Sequence, residues 1–330
     1  MRVLLYFIPI VFSWGFILKP PQRPPTRLES SSPGMWDVLS SALKEKARNW
    51  FINRAEKSGV EWTSITGNYI KELELLNNIY SQKNNRSIIY PDYYTRPFHG
   101  YDTGNLNWDA AVEGEAATLS MAVNYWKEAD PLTTERWLRH NITKNILTYI
   151  EETKSNRPNC VMDVGSSVGI STEYLYSSLV ECDKMVGLDL SPYFVSLATY
   201  RSMRDNHPIE YVHQNAETPN LETKFDLIVC TFILHEVPRE PSKKILEAMT
   251  NQLKEGGVLA IVDLDPTKVR NNLIVSTFRK WAFEVTEPHI YEYYQTNMSS
   301  LMEQSGLSQV KRVHNDPINC VWMGKKEISI

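Results

Sequence analysis

From Asn159 onward the chain repeats one pattern, a short apolar run followed by a stretch of helical periodicity. The runs are CVMDV, KMVGLDL, IEYVH, FDLIVC and GVLAIVDL; between them lie STEYLYSSL, a helix opening at Ser191-Pro192, and PSKKILEAMTNQLK. Apart from IEYVH, the runs are apolar almost throughout rather than at alternate positions, so those strands must be covered on both faces. Connections that hold whole helices carry the chain back across the sheet, which makes neighbouring strands parallel. The expected fold is therefore α/β, a mostly parallel sheet with helices on both faces. Ser191 is a good N-cap and Pro192 suits the first helical position. LSQVKRVH and NCVWMGKK close the chain as an expected terminal hairpin.

Upstream the pattern differs. Leu39, Leu43, Ala47 and Trp50, then Trp62, Ile65, Tyr69, Leu73 and Leu76, recur every three or four residues and read as helix from Trp36 to about Tyr80. The stretch YPDYYTRPFHGYDTGNLNW at 90–108 has no helical period and carries six aromatic rings and His99. Helices are expected again near 107–127 and 132–152. The chain thus divides into a leader at 1–34, a helical region at 35–155 that could act as a lid, and an α/β domain at 156–330.

The leader starts MR, continues with an apolar run from Val3 to Phe12, and reaches small residues at Ser13 and Gly15. That order is a secretory signal with cleavage after Gly15, too short and broken to form a stable membrane span. Behind it, FILKPPQRPPTRLESSSPG is basic and rich in Pro and Ser. The whole resembles the bipartite presequence of algae with secondary plastids, with Phe16 first after the cut. This implies a plastid protein whose mature chain starts between Phe16 and Met35. The alternative is the secretory pathway, which sequons at Asn85, Asn141 and Asn297 would permit. Four cysteines without a CxxC speak for reduced thiols, because Cys160 and Cys230 fall at opposite ends of two strands expected to be parallel neighbours. Net charge is −4 with scattered Lys and Arg, so the basic face of a nucleic-acid binder is missing.

The chemistry concentrates where an α/β sheet places its ligand, at the carboxyl ends of the strands. DVGSSVGIST follows the first strand: Gly165 allows a sharp turn, Gly169 allows close helix packing, and Ser167 stands where a dinucleotide loop has its middle glycine. Asp189 ends the second strand, where a carboxylate can accept both hydroxyls of a ribose. Asn215 follows the third strand, able to bond an adenine edge. FDLIVCTFILHEVP and LKEGGVLAIVDLDP supply a fourth strand with its loop and a fifth strand after a Gly-Gly turn.

In this order the elements resemble the class I S-adenosylmethionine-dependent methyltransferases, from about residue 159 to the C-terminus. The resemblance implies a Rossmann-like, seven-stranded, mostly parallel sheet with S-adenosyl-L-methionine as cofactor. It implies that Asp163 and the loop Gly165, Ser166, Ser167 and Gly169 hold the methionyl part. Asp189 with Leu190 would meet the ribose, and Asn215 with Ala216 the adenine, where the family more often has Asp. Thr231 would lie at the cofactor's edge. FDLIVCTFILHEVP resembles motif IV of small-molecule C- and O-methyltransferases, which often read LHH where this chain has LHE. The segment at 90–108 resembles an uncharacterised group of methyltransferases from cyanobacteria and plant chloroplasts.

Methyl transfer is an in-line displacement, so an enzyme must position the acceptor and remove its proton. His235, just past the fourth strand, is the favoured base, with His99, Asp102 and Glu113 as rivals. Tyr93, Tyr94, Phe98, Tyr101 and Trp108 are lid or substrate candidates, and simple packing of the helical region is the alternative for each. His289, Tyr291 and Tyr294 are further substrate candidates. The expected partner is a small organic molecule, ring-bearing or isoprenoid-linked, methylated at C or O. No D/N-P-P-Y/F tetrapeptide points to nucleic acid, and no metal-ligand spacing occurs. Two other readings remain open: a nicotinamide-dependent dehydrogenase, and a methyltransferase-like assembly or regulatory protein without activity.

Overall fold

The computed structural model describes residues 48–49, 51–96, 101, 103–123, 125–126, 129–268 and 289–328. The leader, Phe98, His99, Asp102, and the helical expectation for Leu39, Leu43, Ala47 and Trp50 lie outside them. Residues 51–57 are helical. Then follow α1 (Trp62–Lys71), α2 (Leu73–Lys83), α3 (Trp108–Ala122) and α4 (Pro131–Thr153). The single helical run expected across 62–80 is two helices broken at Glu72. Asp130 caps α4, its side chain accepting from the Thr133 amide, and Pro131 takes the first helical position.

The α/β part runs β1 (Cys160–Val164), α5 (Ile170–Ser178), β2 (Lys184–Asp189), α6 (Pro192–Arg204), β3 (Ile209–His213), β4 (Phe225–Thr231), α7 (Arg239–Gln252) and β5 (Leu253–Leu264). After the undescribed 269–288 come α8 (Ile290–Gln295), α9 (Met298–Gln304), β6 (Leu307–His314) and β7 (Asn319–Lys326). They build one seven-stranded sheet of order β3-β2-β1-β4-β5-β7-β6. β1 to β5 pair in parallel, β7 is antiparallel to β5, and β6 and β7 form the expected hairpin. The sheet is the seven-stranded, mostly parallel, Rossmann-like one that was expected.

Alternate residues of each strand feed two cores. Met162, Val164, Ile228, Cys230, Leu259 and Ile261 face α7, α8 and α9. Val161, Leu227, Val229, Ala260 and Val262 face α4 and α5. Both sets are shielded from water, worth roughly 1.5–3 kcal/mol for each large aliphatic side chain. This double burial explains the unbroken apolar runs. One expectation changes: the Lys254–Gly257 stretch, read as a helix end and turn, already belongs to β5. Phe225 pairs with Leu253 and Leu227 with Val258, so the Gly-Gly pair sits in a bulge inside the strand.

Helices α1 to α3 form a separate layer on α6. Tyr69, Leu76, Ala111 and Val112 pack with Val168, Phe194 and Leu197. All four cysteines are free thiols, and Cys160 and Cys230 do stand at opposite ends of the paired strands β1 and β4. Among the described residues, no helix is long and apolar enough to cross a membrane.

Candidate active site

The loop after β1 turns back under the carboxyl end of the sheet. Gly165 has φ 69, and a Cβ there would lie 2.0 Å from Ile233 Cδ1. Only glycine permits both the left-handed backbone and the approach of the loop after β4. Phe232, at φ 58, makes the matching turn on that side and presents Ile233 to Gly165. Ser167 also has a positive φ of 49, which aims its amide at Asp189 Oδ2, 2.8 Å away. Gly169, at φ 90, opens α5.

Asp189 is held from two sides, its Oδ1 accepting the Ser191 amide at 2.8 Å. Burial raises its carboxyl to about 6. Asp163, fully buried at the end of β1, accepts the hydroxyls of Ser171 (2.6 Å) and Thr172 (2.7 Å) on Oδ2. Its Oδ1 has no hydrogen-bond partner among the described residues, nor has the buried Ser166 hydroxyl. Burial pushes the Asp163 carboxyl up as well. Buried polar atoms left unmatched around one loop carry a desolvation cost that a polar ligand would relieve. An adenosyl amino acid, with ribose hydroxyls for Asp189 and a charged end for Asp163, fits them.

Beyond β3 the adenine candidates differ. Asn215 spends its side-chain carbonyl on its own turn, accepting the Glu217 amide at 2.9 Å, which leaves the NH2 for a ring edge. Ala216 packs on the apolar core beside Tyr93 and Ile233. The tyrosine segment reaches the same edge. Tyr93 donates to Glu217 Oε1 at 2.8 Å, and Tyr90 stacks on Tyr94 at 6.1 Å. Burial first, then the nearby charge of Asp189, pushes the Tyr94 hydroxyl well above its ordinary range. His213, at the end of β3, fastens this segment: its Nδ1 accepts the Asn85 amide at 2.9 Å, and Nε2 lies 3.1 Å from the Leu190 carbonyl. Tyr90 Oη stands 3.2 Å from the same Nε2.

At the end of β4, His235 meets a residue the sequence reading gave no role. Its Nδ1 is 2.7 Å from Oδ1 of Asp263, and its amide donates to Oδ2 at 3.2 Å. Asp263, fully buried in β5, can only accept, so Nδ1 carries the hydrogen and Nε2 is the basic nitrogen. Glu236 Oε1 lies 3.7 Å from Nε2, a second carboxylate able to stabilise the ring once protonated. Tyr293 meets the imidazole edge-on at 6.3 Å, and Tyr294 packs against Tyr293 at 5.7 Å. Tyr291 lies half-buried on the same core, while His289 begins α8. Thr231 lies at the end of β4, on the face towards α4.

Glu113 is placed elsewhere. It is buried in α3, accepts the Tyr101 hydroxyl and pairs with Arg48, so both of its oxygens and Tyr101 serve the helical layer. Trp108 packs edge-on against Tyr193 at 5.1 Å and donates to Asn77 at 3.0 Å, the packing alternative. Asp263 was visible in sequence as the first acid of VDLDP; only the pairing of β4 with β5 brings it under His235.

Residues 134–311 match a family model described as a methyltransferase domain, which covers more than half of the chain. The chain belongs to this methyltransferase family. It is an enzyme of the S-adenosylmethionine-dependent kind, so the dehydrogenase alternative falls. An uncharacterised methyltransferase of Synechocystis is 29% identical over 153 residues, 46% of this chain and 68% of its own. The mitochondrial ubiquinone biosynthesis O-methyltransferase of Schizosaccharomyces pombe is 26% identical over 200 residues, 56% of this chain and 70% of its own. Among solved structures, an S-adenosylmethionine-dependent methyltransferase from Clostridium acetobutylicum superposes with a TM-score of 0.43 at 15% identity, covering 58% of this chain and 92% of that one.

Proposed function

We propose that the protein methylates a hydroxyl group on a small ring-bearing molecule. The observation that carries this reading is the His235–Asp263 pair, 2.7 Å apart at the carboxyl ends of two adjacent strands. A hydroxyl must lose its proton as it attacks, whereas a neutral amine can attack first and lose its proton afterwards. A histidine oriented by a buried carboxylate is the arrangement that removes such a proton. S-Adenosylmethionine, when bound, supplies an electrophilic methyl on a sulfonium. Asp189 and Asn215 would hold its nucleoside, and Asp163 with the glycine loop its amino-acid end. His235 Nε2 would take the acceptor's proton, with Asp263 and Glu236 stabilising the imidazolium. Tyr94, Tyr293 and Tyr294 supply aromatic faces for a flat acceptor and for the sulfonium. The O-methyltransferase named among the relatives supports oxygen as the acceptor atom.

The test is to incubate the purified protein with methyl-labelled S-adenosylmethionine and a panel of phenols, catechols, hydroquinones and matched anilines. Label should move to the phenolic oxygens, and transfer confined to amines would overturn the reading. The leader carries a proposal of its own, plastid import in two steps. A fluorescent fusion of residues 1–40 should reach the plastid, and export of that fusion from the cell would refute it.

A further inference from the structure

Tyr211 of β3 stands opposite Gly187 of β2 in the parallel ladder and is buried. Its ring lies across the notch that this glycine leaves: a Cβ at 187 would be 2.4 Å from the ring and 3.0 Å from Ser166 Cβ. The same ring reaches on to the far end of the glycine loop. A Cβ at Gly169 would be 2.5 Å from the Tyr211 hydroxyl, which donates to the Gly169 carbonyl at 3.4 Å. The Thr172 hydroxyl is its second hydrogen-bond neighbour. Thr172 is fully buried and gives its one hydrogen to Asp163 Oδ2 at 2.7 Å, so towards Tyr211 its oxygen can only accept. Two glycines thus make room for one phenol, beneath the loop that joins β1 to α5.

Filling the notch needs only the ring, which a phenylalanine would supply. A buried hydroxyl costs desolvation unless it is bonded, so the oxygen of Tyr211 serves what it bonds to. Burial pushes the phenol well above its ordinary range, which keeps it a neutral donor. We propose that Tyr211 is a positioning residue of the cofactor site: its ring is the floor of the glycine loop, and its hydroxyl ties the end of that loop to the Thr172–Asp163 pair. The chain of hydrogen bonds runs from β3 through α5 to β1. It holds Thr172 on Oδ2 of Asp163 and leaves Oδ1 as the oxygen turned to the ligand. This proposal rests on the cofactor reading above, and it extends the machinery of the site to a side chain that touches no ligand.

The experiment is a double-mutant cycle on the full chain, read by calorimetry with S-adenosylhomocysteine and, beside it, by urea denaturation. Tyr211→Phe keeps the ring in its notch and should weaken binding about 3- to 10-fold, the range for one lost hydrogen bond. Thr172→Val, close in volume, should weaken it further, since Asp163 then loses a donor as well. The double variant should bind nearly like Thr172→Val alone, because the hydroxyl acts through Thr172. Thr172→Ser keeps that hydroxyl; it should hold the wild-type affinity and restore the full cost of Tyr211→Phe, a comparison that decides the matter even if Thr172→Val does not fold. Unchanged affinity in Tyr211→Phe, or losses that simply multiply in the double variant, would overturn the assignment. So would a coupling present in urea and missing from binding, the mark of a packing residue. A wild type that did not bind S-adenosylhomocysteine would instead overturn the cofactor reading itself.

Discussion

The sheet and the helical layer over it are held by different forces. β1 to β5 and the hairpin are joined by continuous backbone ladders and by apolar faces buried on both sides. The layer at 62–122 shares an apolar patch with α6, but its attachments near the ligand end are single side-chain clasps. Lys83 donates to the Tyr211 carbonyl at 3.0 Å, the Asn85 amide to His213, Tyr93 to Glu217, and Ser191 to the Asn105 carbonyl at 2.7 Å. Farther back, buried Arg201 of α6 binds Glu173 of α5 at 2.6 Å and also Glu115 of α3 and Tyr69 of α1. Nearly every clasp lands on the half of the site built by β2, β3 and α6, where the nucleoside would sit. On the proposed reading the sheet would set the geometry of the site, and the layer how tightly the nucleoside half is closed.

The largest effect should come from breaking the deepest clasp. Arg201→Met removes the cation that Glu173 and Glu115 share, and uncompensated buried charge costs about 3–5 kcal/mol. Urea denaturation should show that loss. A loss below about 1 kcal/mol would mean that apolar packing alone holds the layer to the sheet.

Two substitutions separate the halves of the site. His235→Ala should slow turnover roughly a hundredfold or more and leave cofactor affinity nearly unchanged, because the ring lies beyond β4. Asp263→Asn should slow turnover by a similar order if Asp263 acts by orienting that ring. Asp189→Ala should do the reverse and weaken cofactor binding by about 2–3 kcal/mol, the value of a charge-assisted acceptor. A His235→Ala protein that no longer bound cofactor would dissolve the distinction. Acid sharpens it: the ionised form of Asp189 would accept the ribose hydroxyls, and burial raises its carboxyl to about 6. Affinity should hold above pH 6 and fall towards tenfold per unit below it. An affinity flat from pH 7.5 to 5 would remove Asp189 from the binding step.

The same difference in forces decided what could be read from sequence. The hairpin strands Leu307–His314 and Asn319–Lys326 and the strand Cys160–Val164 lie where the apolar runs place them, because period and length are local properties. The places of Asp163, Gly165 and Asp189 on the fold were legible for the same reason, each ending or following such a run. The pairings of Asp263 and His213 were not. Each has a partner far away in sequence: Asp263 a residue 28 positions earlier, His213 one 128 positions earlier. The partners of Glu113 were equally hidden, since nothing local announces its pairing with Arg48 and Tyr101.

The smallest effect should come from His213. Burial lowers its pKa to about 4 from the ordinary 6.5, so the folded protein holds it neutral. Neutrality is what the geometry needs, because a protonated ring could not accept the Asn85 amide on Nδ1. The unfolded chain takes up the proton first as pH falls. The stability this site contributes is therefore complete above 6.5 and lost as pH falls from 6.5 towards 4, about 1 kcal/mol by pH 5.5. His213→Gln keeps an acceptor and a donor but cannot titrate. It should cost little at pH 7.5 and flatten this part of the acid dependence, while the acid loss of cofactor affinity set by Asp189 remains. Hydrogen exchange should then show residues 84–94 loosening between pH 7 and 5 in the wild type and much less in the variant. Equal loosening in both would place the acid sensitivity of the clasped layer in other groups and leave His213 a plain packing residue.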